Sequence, residues 1–220
     1  SSHQSSTRGL KMSAKRLIGL ILLGSVWLGG GASVQAQEPL APGTSLPSVQ
    51  GALQRLDGSS VSPQQLVREQ GTVFLFWSTR CPWVEGYEDR MQALVSDYQR
   101  QSIRFVMVNS NAGETLDAVR TQAEEREYAV TSLRDPNARF ARALGVTRTP
   151  HAFVFDKAQT LVYVGAIDDS PSSPKRVKEA YLQEALQAVV DGGTVEGARQ
   201  KAFGCTLRYP YRRIVNSVLA

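Results

Sequence analysis

The sequence predicts an α/β protein: a three-layer α/β/α sandwich around a mixed central sheet. Three observations predict it. Thr72-Val-Phe-Leu-Phe-Trp77 is a short apolar run rich in Val and Phe, which reads as a buried strand. An amphipathic pattern follows from Val84 to Arg100, with Met91, Leu94, Val95 and Tyr98 at helical spacing. Strand and helix patterns then alternate and end in two strand runs, His151–Asp156 and Thr160–Gly165, joined only by Lys157-Ala-Gln159. Alternation packs helices over a sheet, and the closing antiparallel hairpin makes that sheet mixed.

The elements follow in order. Residues 37–46 are rich in Pro and Gly and read as an extended lead-in to a domain spanning 47–209, with a tail at 210–220. Ala52–Val61, centred on Asp57-Gly58, reads as a hairpin. Ser62-Pro63 opens a short helix, with Pro in its first turn. Beyond the Val84–Arg100 helix, Ile103–Val108 is the next strand, and Ala112–Tyr128 is a polar helix. Ser132-Leu133 is a short strand. Asp135-Pro136 caps a helix at Asn137–Leu144 that stops at Gly145. Ser173-Pro174 opens a long helix to Asp191, closed by Gly192-Gly193.

Residues 1–36 stand apart. Lys11, Lys15 and Arg16 precede the apolar run Leu17–Leu28, then come Gly29–Gly31 and Val34-Gln35-Ala36, with small residues at the two recognition positions of a cleavage site. This is the order of a secretory signal peptide, and it predicts export, to a periplasm or beyond, after cleavage near Ala36. The apolar run is shorter than the ~20 residues of a spanning helix, so contact with the membrane is expected only through the signal. The chain carries 25 basic and 20 acidic residues; four of the basic ones lie in this segment, leaving 21 against 20. A near-neutral domain with scattered Arg and Lys is not a nucleic-acid binder.

Two cysteines remain, Cys81 and Cys205. Cys81 sits where a strand ends and a helix begins, and unpaired N–H groups with the helix dipole favour its thiolate. In an exported protein two cysteines also form structural bridges, so an attacking thiolate and a half-cystine both stand as readings. Thr149-Pro150 enters the His151 strand and is a candidate cis peptide bond. His151, the one histidine after residue 36, is either a proton donor near the thiol or a hydrogen-bonded strand residue. Trp83 and Tyr87 follow Cys81 and either line a groove or pack on the sheet. One Cys and one His make no metal-ligand cluster, and no phosphate loop or dinucleotide fingerprint is present, so no cofactor and no metal are expected.

Phe76-Trp77 before Cys81-Pro82, Tyr87-Glu88, Val106–Asn111, Thr149-Pro150, Tyr163–Asp169 and Gly204-Cys205 together resemble the peroxiredoxin-like (AhpC/TSA-type redoxin) branch of the thioredoxin superfamily, over about Gly43 to Tyr209. The resemblance implies a thioredoxin-like fold and an antioxidant thiol oxidoreductase that reduces peroxides or disulfides through Cys81, with an external thiol as reductant. Thr149 and Pro150 would face Cys81, and Ser78 would hydrogen-bond its thiolate or cap the helix. Arg80 and Arg148 would stabilise the thiolate and polarise a peroxide. Cys205 would resolve the oxidised Cys81. Val84 stands where thioredoxins carry their second cysteine, and Phe74 where peroxiredoxins carry a proline. Two alternatives remain at this point: a monothiol protein-disulfide reductase or isomerase, and a non-enzymatic binding module stapled by Cys81 and Cys205.

Overall fold

A computed structural model of the chain describes residues 38–49, 51, 53–127 and 130–211. The expected signal segment and residues 212–220 of the expected tail lie outside the described residues. No helix among the described residues is long and apolar enough to cross a membrane.

The strands are β1 (Leu53–Arg55), β2 (Ser60–Val61), β3 (Gly71–Trp77), β4 (Ile103–Asn109), β5 (Thr131–Arg134), β6 (Arg148–Thr149), β7 (His151–Asp156), β8 (Leu161–Gly165) and β9 (Cys205–Thr206). Seven form one sheet in the order β2-β1-β5-β4-β3-β7-β8, and β6 pairs with β9 in a separate ribbon. β3, β4 and β5 run parallel, while β7 is antiparallel to both β3 and β8, so the sheet is mixed as expected. The lead-in adds to the β8 side: Ser45 bridges Thr160, and the Gly43 N–H donates to the Leu161 carbonyl at 2.8 Å.

Every residue of β3 is buried, which explains its continuous apolar run: a central strand alternates faces without either face meeting water. On one face Phe74, Phe76, Phe153 and Phe155 pack with Phe140; the Phe74 and Phe140 ring centroids are 5.0 Å apart, edge to face. On the other face Val73, Leu75 and Val154 pack against Met91, Leu94, Val95 and Tyr98 of one helix and Leu182 and Leu186 of another. These two apolar layers, each buried against helices, are the main source of stability in a sandwich of this kind.

The helices are α1 (Pro82–Glu85), α2 (Glu88–Gln99), α3 (Leu116–Glu125), α4 (Arg139–Leu144) and α5 (Tyr181–Val190), with 3-10 turns at Pro63–Leu66 and Pro174–Arg176. Four differ from the sequence expectation. The helix expected over Ala112–Tyr128 begins only at Leu116, where the Thr115 hydroxyl caps it by accepting from the Ala118 N–H at 3.1 Å. The helix expected over Val84–Arg100 is broken at Gly86-Tyr87. A Cβ at Gly86 would lie 3.2 Å from the Pro171 carbonyl, and Arg90 Nη2 takes the Gly86 carbonyl at 2.8 Å, so a neighbouring loop decides the break. The long helix expected from Ser173 begins only at Tyr181. Asp169 intervenes: its N–H donates to the Glu179 carbonyl and its Oδ1 accepts from the Lys178 N–H at 2.9 Å. The helix expected at Asn137–Leu144 starts two residues later, because Ala138 is left-handed (φ 49°). Its free N–H groups are met by the Asp135 carboxylate, which accepts from Arg139 and Ala141. Its stop at Gly145 is as expected: φ is +68° and a Cβ there would overlap the Glu38 carbonyl.

Candidate functional site

β3 carries the chain through the core and releases it at Ser78–Cys81, above the end of the sheet. Cys81 is the extended residue before α1. It is joined by a disulfide to Cys205, with Cα atoms 6.0 Å apart, inside the range a bridge spans. The Thr149–Pro150 bond is cis, and the Thr149 carbonyl oxygen lies 3.3 Å from Cys81 Sγ. In the β6–β9 ribbon Thr149 also pairs with Cys205, and Arg148 with Thr206. Thr149 therefore meets both cysteines, one through its carbonyl and one through strand pairing.

The segment around Cys205 is held at many points. Gly204 has φ +141°, and a Cβ there would overlap the Thr149 carbonyl, so this approach requires glycine. Arg148 Nη1 donates to the Gly204 carbonyl at 2.9 Å. The Leu207 N–H donates to the Thr147 carbonyl at 3.0 Å, the Arg208 N–H to Asn111 Oδ1 at 2.9 Å, and the Ala112 N–H to the Arg208 carbonyl at 2.7 Å. The Tyr209 hydroxyl donates to the Val146 carbonyl, and the Arg142 guanidinium lies 4.3 Å above its ring. Phe203 packs edge to face on Trp83, centroids 4.8 Å apart, and is itself 48% exposed. Cys81 is 3% exposed, whereas Cys205 is partly exposed.

Behind the Ser78–Cys81 loop lies a buried carboxylate that the sequence reading missed. Glu114 Oε1 accepts from the Ser78 hydroxyl at 2.7 Å. Its Oε2 accepts from the Thr79 N–H at 2.8 Å, the Thr79 hydroxyl at 2.7 Å and Asn109 Nδ2 at 2.6 Å. Burial pushes the Glu114 pKa up, but the hydrogen bonds from Ser78, Thr79 and Asn109 outweigh it and hold the carboxyl below its ordinary value. Arg134 braces the same loops from beneath. Its Nε donates to the Glu114 carbonyl (2.9 Å), Nη1 to those of Asn109 (2.7 Å) and Asp135 (2.8 Å), and Nη2 to that of Asn111 (2.8 Å). The signal for Glu114 was slight: an acidic residue in the exit of a buried strand, read instead as the start of a polar helix.

The remaining expected site residues divide. Ser78 stands near Cys81, but its one hydroxyl proton is committed to Glu114 and not to a thiolate. Arg80 is exposed. Arg148 is exposed too, and it donates to the Gly204 carbonyl, one residue before Cys205. Trp83 lies beside the bridge, partly buried under Phe203. Tyr87 lines no groove: it is 1% exposed, its hydroxyl donates to Asp168 Oδ1 at 3.3 Å, and burial first, then the Asp168 charge, raise its pKa. His151 is 1% exposed and its ring packs 4.6 Å from Phe153, a residue of the apolar cluster opposite to that of Cys81. Neither of its ring nitrogens has a hydrogen-bond partner among the described residues. Burial, with a smaller push from Arg199, brings its pKa down to about 3, so the imidazole is neutral. It is a core residue without access to the sulfur side. Among the described residues no group of three or more His, Cys, Asp or Glu is arranged to hold a metal ion.

A bridge seated against a cis-proline strand can exchange with thiols, or it can staple the chain. Comparisons with known proteins bear on the choice. The model of a family described as Redoxin matches residues 41–182, more than half of the chain. A thioredoxin-like protein of Haemophilus influenzae is 25% identical over 107 residues, 49% of this chain and 61% of its own length; the chain thus spans about three fifths of that relative. The crystal structure of a hypothetical protein from Sinorhizobium meliloti superposes with a TM-score of 0.72 at 27% identity, covering 80% of this chain and 98% of that one. The thioredoxin domain of a thiol-disulfide oxidoreductase from Bacteroides vulgatus shares the fold at 18% identity (TM-score 0.51), covering 60% of this chain and 94% of that one. The architecture is thioredoxin-like.

Proposed function

We propose a function from the premise that the chain belongs to the Redoxin family: it is an exported thiol oxidoreductase, and Cys81 and Cys205 form its working couple. The observation that carries this reading is the seat of the bridge. Cys81 lies at the end of the central strand with the Thr149 carbonyl 3.3 Å away, and Cys205 reaches it from a separate two-residue strand. In the oxidised form the bridge accepts two electrons from an external thiol and becomes a dithiol. In the reduced form the couple returns them to a substrate.

The surroundings favour a disulfide over a peroxide as that substrate. Peroxide cleavage needs donors aimed at the developing negative charge. Here the Ser78 proton is spent on Glu114, Arg148 holds the Gly204 carbonyl, and the polar atom 3.3 Å from Cys81 Sγ is the Thr149 carbonyl oxygen, which supplies no donor. Peroxide reduction remains the reading to exclude by direct assay. Export rests on the basic, apolar and small-residue order of residues 11–36. Its check is the N-terminus of the protein recovered from the producing cell, which should begin just after Ala36.

A second reading, a non-enzymatic module with a structural staple, is favoured by the dense anchoring of residues 204–209 and the burial of Cys81. One experiment separates the readings. The bridge is equilibrated in glutathione buffers, and insulin reduction and peroxide consumption are followed with a thiol donor. A redox couple equilibrates within the glutathione range and catalyses insulin reduction, and Cys81→Ser abolishes turnover. A staple sits below about −300 mV and catalyses neither reaction. Rapid peroxide turnover with no insulin reduction would replace the disulfide substrate by a peroxide.

A further inference from the structure

We infer that thiol exchange reaches the bridge at Cys205, with Cys81 as the leaving and resolving sulfur, the reverse of the order expected from sequence. The inference rests on the redox reading above. Either sulfur of a disulfide can be attacked, and access helps decide which. Cys81 is 3% exposed and is packed in the core cluster with Trp77, Val84 and Tyr87. The Thr149 carbonyl oxygen, 3.3 Å from its sulfur, presents negative charge to any approaching thiolate. α1, which follows Cys81, is a single turn of four residues and offers little dipole to offset this.

Cys205 packs against the edge of the same cluster but differs in exposure and in the charge beside it. It is partly exposed, and β9 pairs only with β6, so its outer edge is unpaired among the described residues. Gly204 places no side chain before it. The exposed Arg148 guanidinium, bound to the Gly204 carbonyl at 2.9 Å, sets a positive charge one residue from the sulfur. Anionic thiolates are drawn to such a site.

The step balances as follows. An external thiolate RS⁻ bonds to Cys205 Sγ, and the Cys81–Cys205 bond breaks. Its electron pair leaves on Cys81 Sγ, which takes a proton from solvent. A second RS⁻ attacks the external sulfur of the RS–Cys205 disulfide, releasing RSSR and the Cys205 thiolate, and a proton from solvent completes the dithiol. By microscopic reversibility Cys205, its proton returned to solvent, attacks a substrate disulfide as a thiolate and releases one substrate thiolate; Cys81 then gives up its proton to solvent, displaces the remaining substrate sulfur as a thiolate and re-forms the bridge.

The test uses the oxidised wild-type protein and glutathione. The protein is mixed with a limiting amount of glutathione, quenched in acid within the first turnover, and mapped by mass spectrometry. The expected result is glutathione on Cys205 over Cys81 by more than tenfold. A second measurement compares the single-cysteine variants with an aromatic disulfide: Cys205 in Cys81→Ser should react at least tenfold faster than Cys81 in Cys205→Ser. Glutathione mainly on Cys81 in wild type overturns the order of attack and leaves the redox couple intact. No adduct on either sulfur, with the bridge unreduced by excess glutathione, overturns the redox reading and this inference with it.

Discussion

Replacing His151 by leucine should remove a steep acid sensitivity from the folded state. His151 is 1% exposed, its ring nitrogens have no hydrogen-bond partner among the described residues, and its pKa is brought down from 6.5 to about 3, by burial first and by Arg199 second. The unfolded chain binds a proton near 6.5 that the folded chain refuses until about 3. A folded-state pKa lowered below the unfolded value means that stability is complete above 6.5 and drains away as pH falls toward 3. One proton corresponds to about 1.4 kcal/mol per pH unit, so two units below 6.5, at pH 4.5, the loss attributable to this residue is on the order of 2–3 kcal/mol. The assay is urea unfolding of the oxidised protein and of His151→Leu at pH 7.5 and 4.5. Carboxylates such as Glu114 titrate alike in both proteins and cancel in the difference. Wild type should lose roughly 2–3 kcal/mol more than the variant between the two pH values. Equal losses would show that the folded imidazole titrates normally, and the account of its burial would be wrong.

Two further predictions follow from the packing around the bridge. Gly204→Ala forces a Cβ into the Thr149 carbonyl at a left-handed backbone position, so it should destabilise the oxidised protein by about 1–3 kcal/mol and speed reduction of the bridge; unchanged urea midpoints and reduction rates would contradict this. Glu114→Ala strands the Ser78, Thr79 and Asn109 donors behind the site, at about 1–3 kcal/mol for each buried donor that finds no water. Glu114→Gln, which keeps an acceptor oxygen, should cost less, and an equal cost for the two would place the effect in volume rather than hydrogen bonding.

Much of the fold was legible because the strands announce themselves. β3 is apolar at nearly every position because both its faces are covered, and β7 reads the same way. The turn at Gly58 and the stop at Gly145 were visible because the positive φ at each favours glycine. The breaks in the helices were not legible. Gly86 is an ordinary helix glycine until the Pro171 loop packs on it, and Lys178 and Glu179 are held outside the helix by Asp169, nine residues before Lys178. At the site, Cys81, Thr149 and Pro150 were found from local pattern, and the geometry brings them together. Glu114 was hidden because its partners lie 36, 35 and 5 residues away and no local periodicity marks a buried carboxylate. Tyr87 was offered as a groove residue and His151 as a proton donor from their places beside the two active segments, but side-chain direction turns both into the protein.

Arg134 has a consequence for what substitution can do at this position. Its guanidinium spends four of five N–H donors on four main-chain carbonyls, from Asn109, Asn111, Glu114 and Asp135. Lysine brings the same charge but three donors, on a head too compact to reach four divergent oxygens at once. The usual exchange of one base for the other is therefore closed here by valence and shape. Because a guanidinium keeps its proton throughout the range in which thiols ionise, the brace under the Glu114 loop and under Asn111, which holds the Arg208 amide, stays fastened whatever the charge on the two sulfurs.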